Sequence, residues 1–229
     1  MTYQKICQRL HDAGIESASW DAALLIEHFC KIPADRVPLA PDEELHSDAL
    51  ALAVNRRVER YPLQYLIGEW QFYRQAYEVS PDCLIPRSDT EILVEEAIRR
   101  LPPGAHFADL CTGSGCIAVS ILAERPDTTA EALDKYPKTL ALATRNAEKN
   151  GVRERFTPIL ADVTKFDCLG DKPRFHAILS NPPYISEEAL KQLDPEPCAE
   201  PRVALDGGVD GLLFYRAIPK HPARSVTSP

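Results

Sequence analysis

Short apolar runs at residues 106–110, 128–133, 156–160 and 175–179 are separated by helix-length stretches, and no other feature of the chain restricts its fold so strongly. The first run passes through the tight loop Thr112-Gly113-Ser114-Gly115 into an apolar helix at 116–123. The second ends in Asp134; Pro137 then opens a helix that Asn150-Gly151 stops, since proline suits the first helical turn and glycine the residue after the last. The third ends in Ala161-Asp162, and the fourth runs into Asn181-Pro182-Pro183-Tyr184. Strand and helix alternating in one domain predict a parallel, doubly wound α/β sheet with its ligands at the carboxyl ends of the strands.

Each of those strand ends carries polar chemistry. Asp109 and the glycine loop follow the first strand, Asp134 the second, Asp162 the third and Asn181 the fourth. Gly115 opens a helix and Asp134 lies 19 residues beyond it, which suits a loop in close approach to a ligand and a carboxylate gripping a ribose diol. The loop is not GxGxxG, and no Gly-Lys-Ser/Thr is present to cradle phosphates, so a nucleoside without a pyrophosphate is favoured. In Asn181-Pro182-Pro183-Tyr184 the prolines remove backbone donors and fix φ, freeing carbonyls to point into a cleft. With the Asn181 amide and the Tyr184 ring they could grip a planar group that both donates and accepts, an amide or an aminated base edge; an ordinary proline-rich turn is the alternative.

The rest of the chain divides around this region. Residues 1–66 read as helical, with Ile6, Leu10 and Ala13 on one face, Ser19 capping a second helix that carries Ala23, Leu24 and Phe29, and Ser47 capping a third with Leu50, Val54 and Val58. His11, His28 and His46 sit among charges there and read as solvated. Residues 67–86 read as a β-hairpin linker and the hinge of the cleft, its Phe72 and Tyr73 able both to pack and to touch substrate. Ser88 and Glu91 have capping-box spacing at the start of a helix that runs to Pro102, and Arg87 before it is a surface residue or an anion clamp. A net charge of −8 and a pI near 5.3 argue against broad nucleic-acid binding. The cysteines, seven and scattered without a CxxC, suggest neither a disulfide framework nor a zinc site. No apolar run approaches the roughly 18 residues of a membrane span. A cytoplasmic protein without an anchor is expected.

Several of these residues together resemble a known family. The segment 109–115 looks like the first motif of class I S-adenosylmethionine-dependent methyltransferases, and residues 181–184 are similar to the signature of those that methylate amide or exocyclic nitrogens. Leu84-Ile85-Pro86-Arg87-Ser88-Asp89-Thr90-Glu91, with Glu200-Pro201, Ala204-Leu205-Asp206-Gly207-Gly208 and Asp210-Gly211-Leu212, resembles the peptide chain release factor N5-glutamine methyltransferase family (PrmC/HemK), nearly throughout to Ile218. The resemblance implies a Rossmann-like class I methyltransferase domain at 87–218 behind a helical substrate-docking domain at 1–66. It implies Cys111, Thr112, Gly113, Ser114 and Gly115 as the cofactor loop for S-adenosyl-L-methionine, Asp134 on its ribose, Asp162 and Val163 near its adenine, and Asn181 at the donor methyl. Asn181, Pro182, Pro183 and Tyr184 would hold the glutamine of a release factor's GGQ motif, with Asn181, Pro182 and Tyr184 catalytic and Phe72 shielding the methyl. No metal is required, and a monomer that binds neither nucleic acid nor membrane is expected.

The chain departs from the family pattern in carrying Cys111 where glycine is usual and Ser88 where proline is usual. After Ile218 its sequence is polar, proline-containing and aperiodic; residues 219–229 read as a disordered tail of a truncated domain whose last strands are missing. Rival readings are a ribosomal-protein glutamine methyltransferase, a nucleic-acid amino-methyltransferase, and a non-catalytic remnant.

Overall fold

A computed structural model describes residues 1–165, 175–193 and 195–218. The expected tail at 219–229 lies outside the described residues. The chain forms two compact units, divided at Gly68 and Glu69, with a short segment near residue 196 returning to the first.

The first unit contains α1 (Tyr3–Asp12), α2 (Ala18–Cys30), α3 (Asp48–Val58) and α4 (Leu63–Ile67). Ile6 and Leu10 of α1, Ala22, Leu25 and Ile26 of α2, and Leu50 and Val54 of α3 are fully buried together. Ser47 caps α3 by accepting the Leu50 N–H, whereas Ser17, not Ser19, precedes α2. Ser17 donates its hydroxyl to Asp21, which in turn holds the buried Arg57 guanidinium at 2.7 Å. Arg57 and Arg60 each reach Glu196 at 2.9 Å, so ionic pairs bind the returning segment into this unit.

The second unit opens with the hairpin β1 (Glu69–Phe72) and β2 (Gln75–Glu78), then α5 (Glu91–Arg100). The hairpin is no free linker. Phe72 and Tyr77 are almost wholly buried in the core with Val94, Phe107, Ile117 and Ile121, and the Tyr77 hydroxyl pairs with Ser120 at 2.6 Å. Phe72 is therefore a core residue and cannot shield a bound methyl group. The expected capping box does not form: Ser88 lies in a 3-10 turn, and the Glu91 carboxylate accepts the Tyr73 N–H instead.

Next come β3 (His106–Leu110), α6 (Cys116–Glu124), β4 (Thr129–Asp134), α7 (Pro137–Lys149), β5 (Phe156–Leu160) and β6 (Ala177–Ser180). These strands make a wholly parallel sheet of order β5-β4-β3-β6 among the described residues, so β3 and β4 are central and β6 is an edge. β6 begins later than its apolar run, at Ala177. Beyond it lie α8 (Glu187–Leu190) and, after α9 (Pro195–Cys198) of the first unit, α10 (Leu213–Ala217). The order brings the ends of all four strands to one rim.

Candidate active site

Along that rim the chain must turn sharply out of each strand. Cys111, directly after β3, takes φ +59°, and Gly113 and Gly115 take +57° and +82°. A left-handed backbone is free of cost for glycine and strained for cysteine. The loop is fixed by polar contacts: Thr112 N–H donates to the Leu133 carbonyl at 2.9 Å, its hydroxyl to Asp109 at 2.6 Å, and the buried Asn146 amide donates to Ser114 O at 2.9 Å. A Cβ on Gly115 would lie 3.1 Å from Ala143 Cβ, so this glycine lets α6 pack on α7.

Asp134 accepts the Gly113 N–H at 3.1 Å on one oxygen and the Tyr136 N–H at 3.0 Å on the other. Its contacts are backbone amides rather than a cation among the described residues, which leaves lone pairs for a ligand's hydroxyls. Burial raises its pKa. The Thr164 hydroxyl, helped by the Lys135 ammonium 3.1 Å away, draws the Asp162 carboxyl down to about 2. Asp109 is the most buried of the three, and burial pushes its pKa up to about 7 against the bonds from Thr112 and Ala118.

These strand ends frame a cleft of about 650 Å³, within the range of small-molecule sites. Cys111, Thr112, Gly113, Ser114, Asp134, Asp162, Val163, Asn181 and Pro183 line it. Gly115 is not in the wall. A second cavity of about 430 Å³ is lined by Ser180, Asn181 and Tyr184 together with residues of the turn before α5. Arg87, Thr90 and Asn181 line both, and so form the partition between them. Pro182 is buried and lines neither cavity, so the acceptor role expected of its carbonyl finds no support in the cavity walls.

Asn181 is held by an amide N–H donated to Thr90 Oγ1 at 2.9 Å. Arg87 holds an anion of the protein itself: it pairs with the buried Glu200 carboxylate, which also accepts the Ile85 N–H at 2.9 Å. Burial raises the Glu200 pKa although Arg87 opposes it. On the far side of Asn181, residues 205–208 strap the chain down, Ile185 N–H donating to Leu205 O and Gly207 N–H to Ile185 O. A Cβ on Gly207 would meet Tyr184 Cα at 2.7 Å, and one on Gly211 would collide with Tyr184 O. Thr90, Glu200 and these glycines stand in the segments that carry the family resemblance, but the contacts they make join residues far apart in the chain, and no local pattern gives those contacts.

Among the described residues no group of three or more His, Cys, Asp and Glu side chains could hold a metal ion, and no helix is long and apolar enough to cross a membrane. Compared with known proteins, residues 2–68 match the PrmC N-terminal domain and residues 88–194 the methyltransferase small domain. A release factor glutamine methyltransferase of Geobacter sulfurreducens is 43% identical over 215 residues, covering 91% of this chain and 73% of that protein. Those of Cereibacter sphaeroides and Moorella thermoacetica are 41% and 38% identical, covering 92% and 91% of this chain and 75% of each relative.

Proposed function

The chain belongs to the family of release factor glutamine methyltransferases, and from that membership we propose that Asn181 presents its side-chain oxygen to the target glutamine amide. The reaction is S-adenosylmethionine-dependent methylation of a release factor glutamine. When bound, S-adenosylmethionine supplies a methyl group on a positively charged sulfur. The cleft suits it chemically: Asp134 has lone pairs for ribose hydroxyls, Val163 offers an apolar wall, and the acidic strand ends suit a cation.

The observation that carries the assignment is the position of Asn181 on the partition between the large cleft and the smaller cavity. A glutamine amide nitrogen is a poor nucleophile because its lone pair is delocalised into the carbonyl. An acceptor that draws its N–H groups aside turns that lone pair toward the donor without a strong base. As positive charge develops on the nitrogen the N–H···O bond strengthens, so the contact favours the transition state over the ground state. Asn181 Oδ1 accepts from no protein donor among the described residues and is the acceptor. Tyr184, 57% exposed in the wall of the smaller cavity, is placed to cover the amide, and the GGQ glutamine is the residue that enters. The helical unit docks the release factor, and a monomer acting on protein rather than nucleic acid is the working form.

Incubation with methyl-labelled S-adenosylmethionine and a purified release factor tests this reading. Label on the glutamine side chain of the GGQ motif is the expected result, and a release factor left unlabelled would overturn it.

A further inference from the structure

Thr90 is 8% exposed, closes the turn before α5, and lines both cavities beside Asn181. Its hydroxyl oxygen receives the Asn181 amide N–H at 2.9 Å. Its own N–H donates to Arg87 O at 3.0 Å, and Arg87 is anchored on Glu200, which also holds Ile85. The turn is thus tied down independently of any ligand. On the other side, Ser180 donates its hydroxyl to Leu110 O at 2.6 Å and fixes the backbone from which Asn181 projects.

We infer that Thr90 is the positioning residue of the methyl transfer: it holds the plane of the Asn181 carboxamide and engages its NH₂ end, leaving Oδ1 for the substrate. The inference rests on Asn181 being the amide acceptor. An asparagine side chain turns easily about its last bond, and its two ends are alike in shape but opposite in hydrogen bonding. A tilt of the carboxamide plane swings Oδ1 away from the N–H groups of the glutamine; the bond to the Thr90 hydroxyl holds that plane, and without it the acceptance geometry is loosened. Misplacement on this scale costs up to about a hundredfold in rate. The residues that would hold the cofactor, in the glycine loop and at Asp134 and Asp162, make no hydrogen bond to Thr90 among the described residues.

The test compares Thr90→Val, which keeps the shape and removes the hydroxyl, with Thr90→Ser, which keeps the hydroxyl. The expected result is that Thr90→Val lowers kcat roughly tenfold to a hundredfold with the release factor KM, the S-adenosylmethionine Kd and Tm unchanged, and that Thr90→Ser restores kcat. A Thr90→Val enzyme with wild-type kcat overturns the inference. So does a loss that Thr90→Ser fails to restore, or one that comes with parallel losses in Kd and Tm, because these mark a structural role. Asn181→Ala, assayed alongside, separates the two readings: wild-type kcat there retires the acceptor role of Asn181, whereas an inactive Asn181→Ala beside an unaffected Thr90→Val retires only Thr90.

Discussion

Cys111 shows how much one residue can reveal about a backbone. Its φ of +59° is a conformation in which a side chain costs energy, so the position favours glycine whatever the thiol contributes to packing. Comparing Cys111→Gly with Cys111→Ala removes the thiol from both sides of the comparison. The glycine variant should be more stable by about 1 kcal/mol in chemical denaturation; equal stability would mean that the turn relaxes without strain. Asp109 sets a pH dependence. Its folded pKa, about 7, lies above the ordinary carboxylate value of 3.8, so folding favours the protonated form. Stability from this group is present below about pH 4 and falls as the pH rises to about 7, beyond which it is flat. Asp109→Asn should flatten that part of the profile in urea unfolding at pH 5 and pH 8; a variant that loses stability as steeply as the wild type would refute the assignment. The placement of Asp134, Asp162 and Asn181 at strand ends was legible in the sequence, since each closes or follows an apolar run, whereas Asp109 lies within β3. The Thr90 contact was not: it joins residues 91 positions apart, and no local pattern encodes such a pair.

Among the elements, the strap over the Asn181 loop depends on close backbone approach. A Cβ on Gly207 would sit 2.7 Å from Tyr184 Cα and 2.9 Å from Gly211 Cα, and backbone cannot give way as a flexible side chain does. Gly207→Ala should displace Tyr184 and lower kcat/KM for the release factor by at least about tenfold while the S-adenosylmethionine Kd holds, measured by steady-state kinetics and calorimetry. An unchanged kcat/KM would show that the strap does not position the loop. The elements themselves were read well where hydrophobic period and stop signals agree, as at β3, β5 and α7. They were read less well where a local motif competes with tertiary demand. Ser88 and Glu91 have the spacing of a capping box, yet the Glu91 carboxylate is taken by the Tyr73 N–H across the unit. Phe72 failed for a related reason: alternation in a hairpin says that one face is buried without saying against what, and here it is the core beneath α6.

At the scale of the molecule, the parallel order β5-β4-β3-β6 places Asp134 and Asp162 on one rim, in the wall of the large cleft, in a chain of net charge −8. Such a field favours a cationic ligand and is screened by salt. The Kd for S-adenosylmethionine should therefore weaken with ionic strength more than that for its demethylated, uncharged-sulfur product; parallel salt dependences would show that the acids act only as hydrogen-bond acceptors. The alternation of strand and helix made this rim predictable, whereas the partition between the two cavities arises only when residues 87–90 fold against residue 181. The most direct test of the account is the turnover of Asn181→Ala with both substrates saturating. Loss of kcat by about a hundredfold or more, with the S-adenosylmethionine Kd and Tm unchanged, is the predicted result; turnover at the wild-type rate would contradict it.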